Sequence, residues 1–71
     1  NPACERTTIS TNKKELIRSV SVFDVMGKQV HFQDQIDQAS VVLDRNQLDA
    51  GVYLVRVYLD RGVATSRVIF R

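Results

Sequence analysis

The chain contains very few of the residues that carry chemistry or cross-link small domains. Its 71 residues include one cysteine, one histidine, three glycines and no tryptophan. Cys4 has no second cysteine for an internal disulfide, so it is either incidental or able to pair only with another chain. Cys4 and His31 are too few to hold a structural zinc ion, which takes about four ligands. The scattered glycines exclude a loop that cradles phosphate, and we expect no metal and no cofactor.

No group of residues indicates an enzyme. His31 lies within a predicted strand, and no serine framed by glycines accompanies it. Carboxylates at turns usually accept hydrogen bonds from turn amides, and residues 34–37 are only a weak match to a calcium site. The aspartates at predicted loops and turns are Asp34, Asp37, Asp44, Asp49 and Asp60. The classes that remain are a binding or adhesion module, a structural appendage and a recognition signal.

Charge and hydropathy exclude two classes of partner. The net charge is +2, from 10 basic and 8 acidic residues that are interleaved along the chain. Nucleic-acid binding needs clustered basic residues, and a membrane-spanning helix needs about 20 consecutive apolar residues. We therefore expect no nucleic-acid partner and no direct membrane insertion. The opening residues lack the apolar stretch of a secretory signal, so we expect either a protein that is not exported or a piece of a longer exported precursor.

Apolar residues alternate with polar ones between closely spaced turn signals, which predicts short β-strands. The predicted strands cover residues 5–11, 16–25, 28–33, 40–44, 52–59 and 63–70. Side chains expected to share one face within a strand are Leu16, Val20 and Val22; Val30 and Phe32; Val41 and Leu43; Tyr53, Val55, Val57 and Leu59; and Val68 and Phe70. Six or seven such strands indicate an all-β fold, either an antiparallel sandwich or a small barrel.

Three connections carry turn chemistry. Residues 24–27 form a tight turn in which Asp24 bonds backbone amides and Gly27 takes the last position. Residues 60–62 are expected to be a three-residue hairpin loop with Gly62 in the left-handed conformation. Residues 45–50 have room for one helical turn from which Leu48 fills the core, and Gly51 ends this connection.

The order of these motifs resembles the C-terminal sorting domain of the type IX (Por) secretion system. The resemblance covers nearly the whole chain: Asn1-Pro2, then residues 22–30 ending in Gly27-Lys28-Gln29-Val30, then Leu48 before Gly51-Val52-Tyr53, then Gly62, and finally Arg67-Val68-Ile69-Phe70-Arg71. The chain departs from the family pattern in three ways. The aromatic residue and the proline that often precede Asn-Pro are absent, Arg45 stands where an apolar residue is common, and Cys4 is unusual.

The resemblance implies that residues 1–71 are a single immunoglobulin-like domain that acts as a cargo signal and not as an enzyme. Such a domain folds in the periplasm and is recognised by the outer-membrane translocon and its shuttle protein. A cell-surface sortase then removes it, and the cargo is attached to lipopolysaccharide. The alternative function is an immunoglobulin-like or fibronectin-like spacer or adhesion module of a larger secreted protein, which need not end its gene.

The terminal strand is the candidate recognition element. An exposed strand can pair with a partner's sheet edge or insert into a pocket, so we expect Arg67, Val68, Ile69, Phe70 and Arg71 to contact the translocon. Such a strand can also pair or exchange between two copies to form a homodimer. The competing interpretation is an ordinary core strand. The residues that we assign to folding are Asp24, Gly27, Lys28, Leu48, Gly51, Tyr53 and Gly62.

Overall fold

The described part of the chain forms six antiparallel β-strands, as the alternating pattern predicts. The computed structural model describes residues 6–11, 15–45 and 48–70, in which no helix occurs. The Asn1-Pro2 motif, Cys4, residues 12–14 and Arg71 lie outside these residues. The strands are Arg6–Ser10 (β1), Ile17–Phe23 (β2), Gln29–Gln33 (β3), Ser40–Asp44 (β4), Gly51–Leu59 (β5) and Gly62–Phe70 (β6).

The strands form two sheets that pack face to face as a sandwich. The larger sheet has the order β3-β2-β5-β6, and the smaller consists of β1 and β4. The terminal strand β6 is therefore an edge strand. It pairs with β5 along its whole length, from Leu59 opposite Gly62 to Gly51 opposite Phe70. This continuous ladder attaches the end of the chain to the middle of the larger sheet.

The core lies between the sheets, and the side chains of β4 and β5 that were predicted to share a face point into it. Val41 and Leu43 are buried in β4, while Tyr53, Val55 and Val57 are buried in β5. Val68 and Phe70 of β6 join the same cluster, and Leu59 and Leu48 pack against it. Full burial of one such side chain is worth about 1.5–3 kcal/mol. In a domain this small, each of these side chains is therefore a large share of the stability.

The prediction for the start of β2 was wrong, because the strand contains an irregularity. Ile17, and not Leu16, is fully buried together with Val20 and Val22. The register against β5 shifts between Ile17 and Ser19, so two steps along β2 match one step along β5. Such a bulge moves the following side chains to the opposite face. The alternation that places Leu16 with Val20 therefore breaks at this point.

A second irregularity overturns the predicted face of β3. Phe32 pairs with Ser21 of β2. The register of β3 against β2 shifts after Val22, which leaves Val30 as an extra residue without a partner position in β2. Phe32 is 51% exposed on the outside of the larger sheet, while Val30 packs against the core. The two side chains therefore do not share a face.

The turn at residues 24–27 is confirmed in detail. The carboxylate of Asp24 accepts hydrogen bonds from the backbone N–H groups of Met26 and Lys28, each at 2.9 Å. The backbone N–H of Gly27 donates to the carbonyl of Asp24 at 3.0 Å. Gly27 has a φ of 86°, which L side chains rarely adopt. Local chemistry is sufficient to make this turn.

The hairpin between β5 and β6 is shorter than predicted. Leu59 pairs directly with Gly62, which leaves Asp60 and Arg61 as a two-residue loop. Among the described glycines, only Gly27 and Gly51 have positive φ, so Gly62 is an ordinary strand residue. The loop is held instead by a side chain from β2, because Arg18 binds Asp60 through two hydrogen bonds. A glycine next to a turn permits a left-handed conformation but does not require one.

The connection from β4 to β5 reaches the core through Leu48, as predicted. The N–H of Leu48 donates to the carbonyl of Arg45 at 2.9 Å, which closes a turn. No helix occupies the described part of this connection, residues 45 and 48–50.

The terminal strand and the outer face of the larger sheet

The terminal strand has two different faces. Val68 and Phe70 are buried, with 7% and 2% of their surface exposed. The ring of Phe70 lies 5.8 Å from the ring of Tyr53, tilted by 58°. Arg67 is exposed and Ile69 is half-buried on the opposite face. The four predicted recognition residues that the structure describes therefore divide into an inward pair that anchors the strand and an outward pair that solvent or a partner can reach.

The N-terminal part of β6 is more exposed to solvent than its C-terminal end. Residues 62–67 are all exposed, and burial begins at Val68. On the inner side of this part, a groove of about 260 Å³ separates β6 from β1. It is lined by Ile9, Thr11, Glu15, Val57, Ala64 and Ser66, among others. The edge strand is thus attached to the core at its C-terminal end and is open along its N-terminal part.

The Gly-x-Tyr motif shapes the entry into β5. Gly51 has a φ of 153°, in the region that favours glycine. Two residues later, the hydroxyl of Tyr53 donates a hydrogen bond of 2.6 Å to the carbonyl of Asp49. The ring of Tyr53 therefore packs in the core, while its hydroxyl links β5 to the loop that precedes it. The structure offers a folding role for both residues.

The outer face of the larger sheet combines apolar and cationic side chains. Leu54 lies between Phe23 of β2 and Arg67 of β6, and Val52 is opposite Ile69. Val52 and Leu54 are 39% and 47% exposed. We define the outer patch as six residues: Phe23, Val52, Leu54, Arg56, Arg67 and Ile69. Sequence reasoning missed this patch, although the apolar residues on both faces of β5 were a signal for it.

The arginine of β5 organises the polar part of this face. The guanidinium of Arg56 lies over the ring of Phe23, 5.3 Å from its centroid. A hydrogen bond with Ser21 and a second with Arg56 lower the pKa of Tyr58 below its ordinary value. Ser21 is buried, with 2% of its surface exposed. Ser21 and Phe23 of β2 therefore meet Arg56 of β5 on the outer side of the sheet.

The described side chains form no metal-binding cluster. Within residues 6–11, 15–45 and 48–70, no three histidine, cysteine or acidic side chains are arranged to hold a metal ion. His31 borders a shallow groove with Lys28, Asp44 and Arg45. The described chain also has no helix with the length and hydropathy that would be needed to cross a membrane.

Comparison with known proteins identifies the family. The model of the secretion system C-terminal sorting domain matches residues 1–71, which is the whole chain. No curated protein resembles the chain closely enough to count as a match. The matched residues include the turn at residues 24–27, the Gly-x-Tyr motif and the terminal strand. The chain therefore belongs to the family of type IX secretion system C-terminal sorting domains.

Proposed function

We propose that this domain is the signal by which the type IX translocon and its shuttle protein recognise a cargo protein in the periplasm. The cargo then crosses the outer membrane, a cell-surface sortase removes the domain, and the cargo is attached to lipopolysaccharide. The observation that carries the proposal is the family match over residues 1–71, joined to a terminal strand that lies at a sheet edge. The domain itself performs no catalysis in this scheme.

The translocon or its shuttle protein recognises the domain by binding to the exposed edge of β6. Every second residue of an edge strand points its N–H and C=O groups away from the sheet, where a partner strand can bind them. Such strand addition gives affinity through the backbone and specificity through alternate side chains. Arg67 and Ile69 are the outward side chains that a partner would read. Arg71, the last of the predicted recognition residues, lies outside the described residues, and its contact with the translocon stays a prediction.

Val68 and Phe70 contribute to recognition indirectly. Their burial against the core fixes the register of β6 on β5, so that Arg67 and Ile69 are presented in one conformation. Insertion of the whole terminal strand into a partner would expose both side chains, at a cost of several kcal/mol (about 1.5–3 for each). Pairing along the edge carries no such cost and is therefore the favoured mode. The same edge is available for the predicted homodimer.

The test is export of a passenger. A fluorescent protein with its own signal for the inner membrane is fused in front of residues 1–71 and expressed in a bacterium with this secretion system. We expect the passenger at the cell surface and the domain cleaved from it. Retention of a folded passenger in the periplasm, while a native cargo is still exported, would contradict the proposal and favour the spacer or adhesion module.

The contribution of the terminal strand is tested by substitution and not by truncation. Removing residues 67–71 would delete two core side chains, so a loss of export would report misfolding as well as recognition. Arg67→Glu changes an exposed side chain and leaves the core intact. We expect it to reduce export, whereas the matched control Arg61→Glu, in the exposed hairpin loop, should not. Equal export of the two variants would remove Arg67 from the recognition site.

A further inference from the structure

The larger sheet has an unusual distribution of charge. None of the residues of β2, β3, β5 and β6 is an aspartate or a glutamate. The acidic residues of the described chain are in β4, in loops and in turns. Arg56 and Arg67 form no ion pair with a described residue, whereas Arg6 and Arg18 do. The outer patch is therefore positive as well as apolar.

The apolar part of the outer patch is contiguous with these two arginines. Phe23, Leu54 and Arg67 lie side by side on three neighbouring strands, and Val52 and Ile69 form the next row. In a two-layer sandwich the outer face of a sheet normally carries polar side chains. An apolar face with a rim of cations is instead typical of a protein interface, in which aromatic, aliphatic and arginine side chains are enriched.

We propose that the outer patch is a second recognition surface, which binds an acidic and apolar protein surface of the export machinery. This inference rests on the proposed function and extends the recognition site from the terminal strand to Leu54 and Arg56 of β5. The partner places apolar side chains on Leu54, Val52 and Ile69. Its carboxylates lie opposite Arg56 and Arg67, where opposite charge guides encounter and sets the orientation of binding.

The positive charge of the outer patch also makes a second copy of this chain an unfavourable partner for it. Two outer patches facing each other would bring two arginines from each copy into one interface that contains no carboxylate. Like charges brought together in an interface are unfavourable. The planar guanidinium of Arg56 is already oriented by the ring of Phe23. It is therefore prepared to bind a carboxylate through two hydrogen bonds, as arginine does in ion pairs.

The experiment measures passenger export for substitutions in β5, which lie outside the terminal strand. Leu54→Thr removes the centre of the patch, and Val42→Thr is its matched control, because the two side chains are 47% and 48% exposed. Arg56→Glu reverses a charge within the patch, and Arg61→Glu reverses one outside it. We expect Leu54→Thr and Arg56→Glu to lower export about tenfold, Arg56→Lys to lower it less, and both controls to export normally.

Competition provides a readout of binding that is separate from export of the variant itself. Residues 1–71 are produced in the periplasm in excess, without a passenger, and export of a native cargo is followed. The wild-type domain should slow that export by occupying the machinery, and Arg56→Glu should not. Thermal unfolding of each purified variant verifies that it is folded before it is compared.

The outcomes separate the inference from the proposed function. If Arg67→Glu abolishes export while Leu54→Thr and Arg56→Glu export normally, the second surface is overturned and the terminal strand stands. If the wild-type domain exports no passenger, both are overturned. If the wild-type domain sediments as a dimer that Arg56→Glu dissociates, the patch binds a second copy and the inference is wrong.

Discussion

Arg18 in β2 binds Asp60 in the β5–β6 loop through two hydrogen bonds, from Nε at 2.7 Å and from Nη2 at 3.2 Å. Its third nitrogen, Nη1, donates to Asp37 at 2.9 Å. Asp37 lies in the β3–β4 connection and has a φ of 51°. A single guanidinium therefore joins a strand to the hairpin loop and to a connection held in the left-handed conformation.

This arrangement predicts a change of stability with pH. The hydrogen bonds from Arg18 lower the pKa of Asp60 below its ordinary value of 3.8. A carboxyl whose pKa is lower in the folded state stabilises the fold above pH 3.8, and this contribution is lost as the pH falls through the lowered pKa. Arg18→Gln should therefore unfold at a lower temperature than the wild type at neutral pH, and this difference should shrink in acid.

Calorimetry of the two proteins at neutral pH and again at about pH 2, below the ordinary pKa of an aspartate, tests this expectation. Arg67→Gln is the control, because Arg67 forms no ion pair with a described residue. If the difference in unfolding temperature between Arg18→Gln and the wild type did not depend on pH, the charge of Asp60 would make no contribution to the stability of the fold.

Two valines in neighbouring strands should respond differently to truncation. Val55 is fully buried, whereas Val63 is 57% exposed. Val55→Ala should lower the free energy of unfolding by about 2 kcal/mol, through lost burial and the cavity that remains. Val63→Ala should change it by no more than about 0.5 kcal/mol. Denaturant unfolding measures both, and similar values would contradict the assignment of the core faces of β5 and β6.

Gly27, which lies in a turn, and Gly62, which lies at the start of β6, provide a test of backbone conformation. Gly27→Ala forces a side chain into a φ of 86°, and we expect a loss of about 1 kcal/mol in the free energy of unfolding. Gly62 has no positive φ, and a methyl group added there would meet no atom within 4 Å beyond its chain neighbours. Gly62→Ala should therefore be neutral or stabilise the fold by up to about 1 kcal/mol. If denaturant unfolding showed that Gly62→Ala greatly lowers the free energy of unfolding, this would support the left-handed conformation of Gly62 that the sequence predicts.

The hydroxyl of Tyr53 should account for a measurable part of the stability. Tyr53→Phe keeps the ring in the core but removes the donor of the 2.6 Å hydrogen bond to the carbonyl of Asp49. We expect the free energy of unfolding, measured by denaturant titration, to fall by about 1 kcal/mol. Asp49→Ala is the control, because the acceptor is a backbone carbonyl that this substitution retains. If Asp49→Ala were as destabilising as Tyr53→Phe, the side chain of Asp49 would have a role of its own.

Local patterns predicted the strands and the first turn well. The alternation correctly grouped Val41 with Leu43 in β4 and Val55 with Val57 in β5, because each of these strands keeps an uninterrupted ladder over those residues. The turn that begins at Asp24 was predictable because its hydrogen bonds join residues within four positions of one another. The family resemblance, drawn from the same motifs, was confirmed over residues 1–71.

Features that depend on distant partners were not predictable in this way. The bulges that bury Ile17 and separate Val30 from Phe32 exist because neighbouring strands pair with unequal numbers of residues. The two-residue hairpin is held by Arg18, which is 42 positions away from Asp60. No pattern within one strand contains this information, since register is set jointly by the turns and by the packing of both strands.

The sequence by itself determined that this is an all-β domain, which residues alternate within its regular strands, where Asp24 begins a turn, and to which family the chain belongs. These properties follow from side-chain alternation, turn chemistry and the order of motifs along the chain. Only the tertiary structure decided that β6 is an edge strand with Val68 and Phe70 anchored in the core. It also brought Phe23, Leu54 and Arg67 together, because strand order and register arise when all the strands bury their apolar faces at once.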